Sequence, residues 1–570
     1  MNRSEAMQEF NLIDESWIRA MTKDCKIKEV SIKEILLNSH EFAGLAGETK
    51  TQDFAIFRFL LAIMFTVISR YDIDGNSVVL EDENKDFMMN QWREIWDMGH
   101  IPSKPIENYL KQWHDRFWLF DDEYPFYQST VVKAKKGTYA TSAKLIGTMF
   151  ESNNKQRLFA DRIEDGKVLS YPEAARWLLH LNSFDDIASK SPVTPKRPWV
   201  GHLSLIAVKG KSFFETILLN LPAGLDSERG VFHEKPSWEN DNNIDEFNRL
   251  IPVPDNEAAL LSLQSRRIML NREADNVNGY YISGGDYFED TELFDREYMT
   301  LWLAYKEKGG GKNAVLKFKP KVYTSAKKVW RDFGSVVGLK IDEEDSSTSK
   351  RPGIINWLEN LRYDGIIDRS YMLNIVTAAV IYDYGQATSL PVKDTISDSL
   401  NFHVQLLGDS QKEYCRQILM EIEKCEKAAY WVGILYKSLQ VASGRADKDA
   451  KTELSGEADS KLQFYDDIDR PFRLWLASIS SEEDINEACI SIEKKLRNIA
   501  FNFGNSISRQ ADKQVIFSHR EIPVFSPDSK KQNAAEYISK ALNLYFAKIA
   551  KIFDKAGDLN GETDKGRSGI

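Results

Sequence analysis

Cysteine is scarce in this sequence. The 570 residues contain 4 cysteines, and no two of them stand in a C-x-x-C arrangement. This spacing argues against a disulfide-stabilised scaffold. We therefore expect reduced thiols that behave as small, buried hydrophobic side chains, at Cys25, Cys415, Cys425 and Cys489.

Long apolar runs are also few. The most apolar stretch, residues 54–69, carries Arg58 and is too short to span a bilayer, so we interpret it as a buried core helix. The first 17 residues lack the apolar centre of a signal peptide. These two features predict a soluble, cytoplasmic protein that has no membrane partner.

An excess of positive charge is absent. The chain has 75 Lys and Arg against 86 Asp and Glu, which gives a net charge of −11. This balance argues against a protein that coats nucleic acid without specificity. A locally basic surface on an acidic body can still bind phosphate groups, so the local charge pattern must decide.

The motifs of common catalytic sites are missing as well. The 8 histidines are scattered, and the sequence has no Walker A motif, no G-x-S-x-G, no G-x-G-x-x-G and no H-E-x-x-H. Two acidic segments, at 120–125 and 341–347, could hold a divalent ion, although such runs are more often solvated loops. We therefore predict a binding or scaffold protein that is not an enzyme, with no cofactor and no metal.

The chain is long enough for two or three domains, and its pattern changes near residue 397. The first part, residues 1–396, mixes helical and strand patterns with turn-rich segments, which predicts a large, loop-rich α+β domain. Its helices are expected at 51–70, 86–98, 104–118 and 171–182, and its strands at 202–208, 265–270, 278–283 and 314–323.

The second part has a helical pattern throughout. One helix has an apolar face between residues 414 and 439, and a second is expected at 462–478. Ser480 with Glu483 indicates a capping box that starts a third helix, and a fourth is expected at 533–553. Four amphipathic helices in succession predict an antiparallel four-helix bundle. The bundle is assigned to 397–556, and the polar tail 557–570 is expected to be disordered.

One segment, residues 312–331, has seven positive charges and no acid. Lys317, Lys319 and Lys321 alternate with other residues, so an extended chain would project all three from one face. Two interpretations remain open: lysines that protect an edge strand from aggregation, or a strip that contacts DNA phosphates. The same segment supplies further candidates for DNA-backbone contact, at Lys327, Lys328 and Arg331.

Two other basic segments precede it in the chain. A proline-stiffened loop at 189–199 holds Lys190, Lys196 and Arg197. Arg266 and Arg267 stand side by side in a strand-like run. Because adjacent strand residues face opposite sides, one of these two arginines could be structural.

Several short segments also resemble those of a known family, in the same order along the chain. They include "FNLIDESWI" at 10–18, "DEYPFYQ" at 122–128, "VGHLSLIAVKGKSFFETILLNL" at 200–221 and "YDYGQATS" at 382–389. Together they resemble the CasA family, the large subunit of the type I-E CRISPR surveillance complex Cascade. Each motif alone is weak, but the collinear set covers almost the whole chain.

The resemblance implies a non-catalytic subunit that recognises the protospacer-adjacent motif (PAM) in double-stranded target DNA. Such a subunit helps to open the duplex for pairing with the CRISPR RNA (crRNA), and it recruits a separate helicase–nuclease. It implies further partners: the backbone, 5′-handle, small and crRNA-processing subunits of the complex. Two alternatives stay open, a metal-dependent hydrolase or nuclease that uses the acidic loops, and a helical scaffold without nucleic-acid contact.

The resemblance also implies roles for individual residues. Gln386, preceded by Gly385, matches the family's strand-separating wedge, and Phe159 matches an aromatic residue that precedes the loop contacting the crRNA handle. The PAM-reading loop of the family is glycine-rich, and small residues replace its glycines here: Ala188, Ser189, Lys190 and Ser191. A PAM-contacting lysine of the family aligns with Glu297, which leaves Arg296 beside it as the possible basic residue. The family's paired zinc-binding cysteines are missing, so we predict no zinc.

Overall fold

The structure is a computed structural model. It divides into two compact units, and each is described separately. Unit 1 comprises Met1–Ser325, Asp345–Ile367 and Leu373–Ser399, and unit 2 comprises Ala326–Glu344, Asp368–Met372 and Leu400–Ile570. The residues that the structure describes are 8–81, 86–146, 168–187, 190–223, 233–240, 246–289, 293, 296–306, 316–324, 327–339, 349–383, 392–445, 455–480, 484–515, 521–522 and 532–553.

Helices and strands alternate irregularly through the described residues. The helices are α1 (Ile32–Leu37), α2 (Lys50–Arg70), α3 (Phe87–Met98), α4 (Ser103–Gln112), α5 (Val131–Ala134), α6 (Tyr171–Phe184), α7 (Phe213–Leu219), α8 (Glu257–Leu261), α9 (Phe333–Val337), α10 (Gly353–Tyr363), α11 (Lys412–Ala442), α12 (Ser455–Ser478), α13 (Ile485–Gln514) and α14 (Ala534–Ile552). The strands are β1 (Glu9–Asn11), β2 (Ile18–Thr22), β3 (Ile27–Val30), β4 (Phe42–Leu45), β5 (Trp118–Phe120), β6 (Thr138–Thr141), β7 (Ser204–Lys209), β8 (Arg249–Leu250), β9 (Arg266–Glu273), β10 (Asn276–Gly284), β11 (Asp286–Tyr287), β12 (Trp302–Lys306), β13 (Leu316–Pro320), β14 (Ser349–Lys350), β15 (Met372–Tyr382), β16 (Val392–His403), β17 (Glu521–Ile522) and β18 (Gln532–Asn533). This mixture confirms the predicted α+β class.

The core of unit 1 is built around α2. Among the described residues, this is the one helix long and apolar enough to cross a membrane, and its whole apolar window is buried inside the protein. Phe59, near its middle, packs edge-on against Phe126 and Trp238, with ring centroids 5.5 and 5.4 Å away. The interpretation of residues 54–69 as a buried core helix is therefore confirmed.

Three small sheets of unit 1 carry the residues of interest. Their strand orders are β6-β10-β9, β13-β12-β14 and β16-β15-β7. All three are built on antiparallel pairs where the register is given, β10 with β6 and β9, β12 with β13 and β14, and β15 with β7. Within the described residues, β13 is thus an edge strand, as Pro320 suggests, because proline has no N–H to donate to a neighbouring strand.

Unit 2 contains four helices of 19 residues or more among its described residues, α11 to α14. Helix α11 packs against the other three, and α13 also packs against α12 and α14. The N-cap of α13 is Asp484, which accepts a hydrogen bond from the backbone N–H of Asn486 at 2.9 Å. The predicted start at Ser480 is therefore wrong, because the acid next to Ile485 caps the helix.

The division into units differs in detail from the single cut expected at 396/397. Two segments from earlier in the chain, Ala326–Glu344 and Asp368–Met372, group with the long helices in unit 2. The thiols of Cys415, Cys425 and Cys489 are buried there, whereas Cys25 is exposed. Burial raises the pKa of the Cys415 thiol to about 12, so this thiol remains protonated and unreactive.

Candidate nucleic-acid interface

The loop that follows α6 contains the predicted PAM-reading residues. Its Lys190 is 7% exposed, and its ammonium lies 3.0 Å from Asp185 Oδ2 and also pairs with Asp186. Its side chain therefore anchors the loop and is not presented to solvent. Ser191 is exposed, and its backbone N–H donates to Thr138 Oγ1 at 2.7 Å. Ala188 and Ser189 lie outside the described residues.

Asp185 is the centre of this anchor. Arg266 donates to its carboxylate and also to the backbone carbonyls of Asp186 and Lys196, both at 2.9 Å. Burial opposes ionisation of Asp185, but the charges of Lys190 and Arg266 outweigh burial and hold its pKa below the usual value. The loop is thus held at both ends by buried charge.

Both arginines of the Arg266–Arg267 pair are structural. Arg266 is 1% and Arg267 3% exposed, and Arg267 pairs with the carboxylate of Asp286. The strand alternation predicted that one of them could be structural, and the structure shows that both are. The second is buried because Asp286 begins the neighbouring strand β11 and supplies its counter-charge, a pairing that local sequence does not reveal.

Tyr382, the last residue of β15, joins the loop to a second candidate segment. Its hydroxyl donates to the Phe184 carbonyl at 3.2 Å, and the Arg197 guanidinium lies over its ring at 5.0 Å. Burial raises the pKa of this hydroxyl above its usual range, so it acts as a hydrogen-bond donor. The predicted wedge residues Gly385 and Gln386 follow in the chain but lie outside the described residues, as does Phe159.

Glu297, aligned above with a DNA-contacting lysine, is 1% exposed. Its two carboxylate oxygens each accept from the Arg58 guanidinium at 2.9 Å, and Oε2 also accepts from Trp199 Nε1 at 3.0 Å. This residue is a buried counter-charge in the core of unit 1 and is not available to DNA. Arg296 is half-buried and donates to the Pro254 carbonyl, so part of its hydrogen-bonding capacity is already used.

The three alternating lysines lie on and beside the edge strand β13. Lys317 and Lys319 stand directly opposite Tyr305 and Leu303 of β12, which places both lysines on one face of the sheet, as the alternation predicts. Lys319 is exposed, with its ammonium 5.4 Å from the Tyr305 ring centroid. Lys321 follows the strand and is half-buried.

The remaining basic candidates, Lys327, Lys328 and Arg331, belong to unit 2 and are paired with acids. Lys327 lies 2.5 Å from Asp332 and Lys328 3.1 Å from Asp466. Arg331 makes a two-pronged contact with Glu426, at 2.7 and 2.9 Å. Its guanidinium also stacks on the Tyr465 ring at 3.7 Å, which is the geometry of a structural arginine.

No group of three or more His, Cys, Asp or Glu side chains that could hold a metal ion occurs in the described part of the chain. In the acidic segment 120–125, a carboxylate is engaged in backbone hydrogen bonds. The Asp121 carboxylate accepts from the backbone N–H groups of Glu123 and Tyr124, at 2.8 and 2.6 Å, and so caps its own turn. The other acidic segment, 341–347, lies outside the described residues.

Comparison with known proteins identifies a family for the chain. A family model described as CRISPR-associated protein Cse1 matches residues 11–503. The CRISPR-associated protein CasA/Cse1 of Thermus thermophilus is 30% identical over 224 residues, which are 38% of this chain and 40% of that relative. The sequence match thus spans less than half of the relative's length.

Solved structures share the fold over almost the entire chain. The crystal structure of Thermobifida fusca Cse1 aligns with a TM-score of 0.79 and 23% identity, covering 96% of this chain and 99% of that one. A chain from a structure described as a CRISPR RNA-guided surveillance complex aligns with a TM-score of 0.67 and 13% identity, covering 95% and 100%. The family match extends over most of the chain, and the chain belongs to the CRISPR-associated Cse1 family.

Proposed function

We propose that this protein is a non-catalytic subunit of a type I-E CRISPR surveillance complex that recognises the PAM in double-stranded DNA. It helps to open the duplex for crRNA pairing and recruits the helicase–nuclease. Its partners are the crRNA, the target DNA and the other subunits of the complex, and it works in the cytoplasm. The likeness to a chain of an RNA-guided surveillance complex supports assembly of this kind.

The observation that carries the proposal is the contact between Tyr382 and Phe184. Phe184 ends the helix before the PAM-loop candidates, and Tyr382 ends the strand before the wedge turn. Gln386 is four residues beyond Tyr382, which bounds its distance to about 14 Å of extended chain. A loop that reads a base pair and a side chain that separates the next pair must start close together, and these two segments do.

The anchored loop suits recognition through the minor groove. That groove distinguishes base pairs poorly and is read by small groups that approach closely. Ala188, Ser189 and Ser191 supply such groups, and Lys190 fixes the loop from beneath through Asp185. Lys190 therefore acts as a positioning residue in this proposal, and direct contact falls to the small residues and their backbone.

We propose that exposed lysine side chains contact the DNA backbone. Lys319, on the edge of the β13-β12-β14 sheet, is the strongest of the predicted candidates because it is exposed. Lys317 and Lys321 flank it on the same segment, whereas Arg296 is proposed separately as the basic residue near the PAM. Lys327, Lys328 and Arg331 are weaker candidates, because each would have to leave an acidic partner in unit 2.

The decisive experiment compares the rest of the complex, assembled on crRNA, with and without this chain. Binding is measured to a pool of target duplexes whose flanking bases are randomised, and the bound fraction is sequenced. Enrichment of a short flanking motif only when the chain is present supports PAM recognition. Identical pools with and without the chain would overturn the proposal.

The wedge role is tested in the same complex by Gln386→Ala. We expect opening of the duplex, followed with 2-aminopurine beside the flanking motif, to slow while initial duplex binding is retained. Gln463→Ala, on an exposed position of α12, is the matched control. Equal losses in binding and opening, or no change in either, would remove Gln386 from this role. Phe159→Ala should instead weaken assembly on crRNA.

A further inference from the structure

One face of the β6-β10-β9 sheet carries an aromatic row open to solvent. Tyr139 of β6 stands directly opposite Tyr281 of β10, which stands opposite Met269 of β9. Tyr139 is 47% exposed, and Tyr281 and Met269 are half-buried. The neighbours on the opposite face, such as Tyr280, are buried in the core of unit 1, so the face with Tyr139 is the more exposed of the two among the described residues.

The two tyrosine rings form a fixed pair. Their centroids are 5.2 Å apart at an interplanar angle of 61°. Tyr139 lies across Gly279, where a Cβ atom would stand 2.4 Å from its hydroxyl oxygen and 2.7 Å from Cζ. Any larger residue at 279 would displace the ring, so the backbone itself makes room for this arrangement.

The segment that leads into β6 is strongly basic. Residues 129–146 contain four lysines and no acid, and Lys133, Lys136 and Lys144 are exposed. Within the described part of the chain, none of these three lysines forms an ion pair with an acid. The Lys133 ammonium lies 5.5 Å from the Tyr281 ring centroid, so charge and aromatic surface are adjacent.

Lys136 occupies a position that normally favours glycine. It has a φ of 58°, and it follows the C-cap of α5, Lys135, in a turn in which Gly137 N–H donates to the Val132 carbonyl at 2.8 Å. A left-handed conformation is unfavourable for a residue with a side chain. This lysine, three residues before Tyr139 in the chain, is therefore held in its conformation at some cost to the stability of the fold.

We propose that Lys133, Lys136, Tyr139 and Tyr281, here called the tyrosine–lysine platform, bind single-stranded nucleic acid. Bases stack on exposed aromatic rings in any sequence, and lysines beside the rings contact the phosphates. An acidic peptide would satisfy the lysines but would leave the aromatic surface without a flat partner. The platform adjoins the PAM-loop candidate Ser191 through its hydrogen bond to Thr138. The inference deepens the proposed function and rests on it for the setting in which single strands occur.

The test uses the full chain and fluorescein-labelled homopolymers, (dT)15 and (U)15, with anisotropy read at several salt concentrations. Loss of a stacked base should raise Kd about tenfold in Tyr139→Leu and leave the log–log salt slope unchanged. Lys133→Gln should instead reduce the slope by about 0.7, the value for one phosphate contact on a single strand. Tyr363→Leu and Lys111→Gln replace an exposed tyrosine and an exposed lysine elsewhere in unit 1 and serve as controls.

Lys136→Gly separates binding from folding. Removing the strain at 136 should raise the thermal stability of the chain, while the salt slope falls as in Lys133→Gln.

Preference for (U)15 over (dT)15, or the reverse, identifies the natural strand as RNA or DNA. The proposal is overturned if neither oligomer binds at about 50 mM salt, where phosphate contacts are strong, if the platform variants match their controls, or if polyglutamate competes as well as the oligomers. If the oligomer tests fail but the complex still selects a flanking motif, only the tyrosine–lysine platform is refuted. If the complex selects no flanking motif but the platform still binds the oligomers, the proposed function is refuted.

Discussion

Neutralising Glu297 should strongly destabilise the core of unit 1. Glu297→Gln keeps the shape of the side chain but leaves the Arg58 guanidinium, 1% exposed, without a counter-charge. Breaking a buried ion pair from one side costs about 3–5 kcal/mol, because the remaining charge stays buried. The hydrogen bond from Trp199 Nε1, 3.0 Å long, is retained or weakened only slightly, since the amide oxygen can still accept it.

Removing both charges should cost much less. Arg58→Met combined with Glu297→Met leaves no buried charge, and replacement of such pairs by apolar residues is often neutral or stabilising by about 1–4 kcal/mol. The double variant should therefore be more stable than Glu297→Gln alone. A double variant that is more stable than the single variant indicates a buried ion pair, because a simple packing defect would become worse with the second substitution.

Hydrogen exchange of the α2 amides is the suitable assay, because a chain of two units need not unfold in a single step. A loss of about 3 kcal/mol corresponds to roughly a hundredfold fall in protection. Glu123→Gln, an exposed acid of unit 1, is the control and should leave protection unchanged. If Glu297→Gln kept full protection and strengthened duplex binding by the complex, Glu297 would face DNA, and the buried-pair argument would be refuted.

Three other outcomes are expected. Burial, together with the nearby Glu493 carboxylate, raises the pKa of Glu421 to about 7. The protonated side chain therefore stabilises the folded state fully below the unfolded pKa near 4.5, and this stabilisation is lost as pH rises through about 7. Urea unfolding of unit 2 should therefore lose up to about 3 kcal/mol over that window, and Glu421→Gln should flatten the profile, whereas an unchanged profile would place the titration elsewhere. Lys319→Glu should weaken duplex binding by the complex and reduce the salt slope of that binding by at least about 0.9. An unaltered slope would instead favour the interpretation that this lysine protects an edge strand from aggregation. Lys190→Met should increase proteolysis of the loop after α6, because Asp185 loses one of its two buried partners, and a loop as resistant as wild type would contradict the anchoring role.

Much of the local structure could be read from the sequence because its causes are local. Helix α6 begins with a capping box between Ser170 and Glu173, and it spans Tyr171–Phe184, close to the expected 171–182. The lysine alternation in β13 follows from the two-residue period of a strand in the same way. The helix expected at 104–118 is shorter, ending at Gln112, because Trp118–Phe120 pairs with β1 instead.

The family and the order of its motifs were also readable from the sequence alone, since collinear segments survive where identity is low. Only the tertiary structure determined which charged side chains are paired inside the fold. Lys190 and Arg331 were candidates for contact with DNA, and Glu297 aligned with a DNA-contacting lysine of the family; each of the three is held by an ion partner. Arg58 and Glu297 are 239 residues apart in the chain, and no local pattern reports such a pairing. Periodicity reports which face of an element is buried, but only the packed fold brings distant charges within reach of each other, and burial then determines which of them remain available to a ligand.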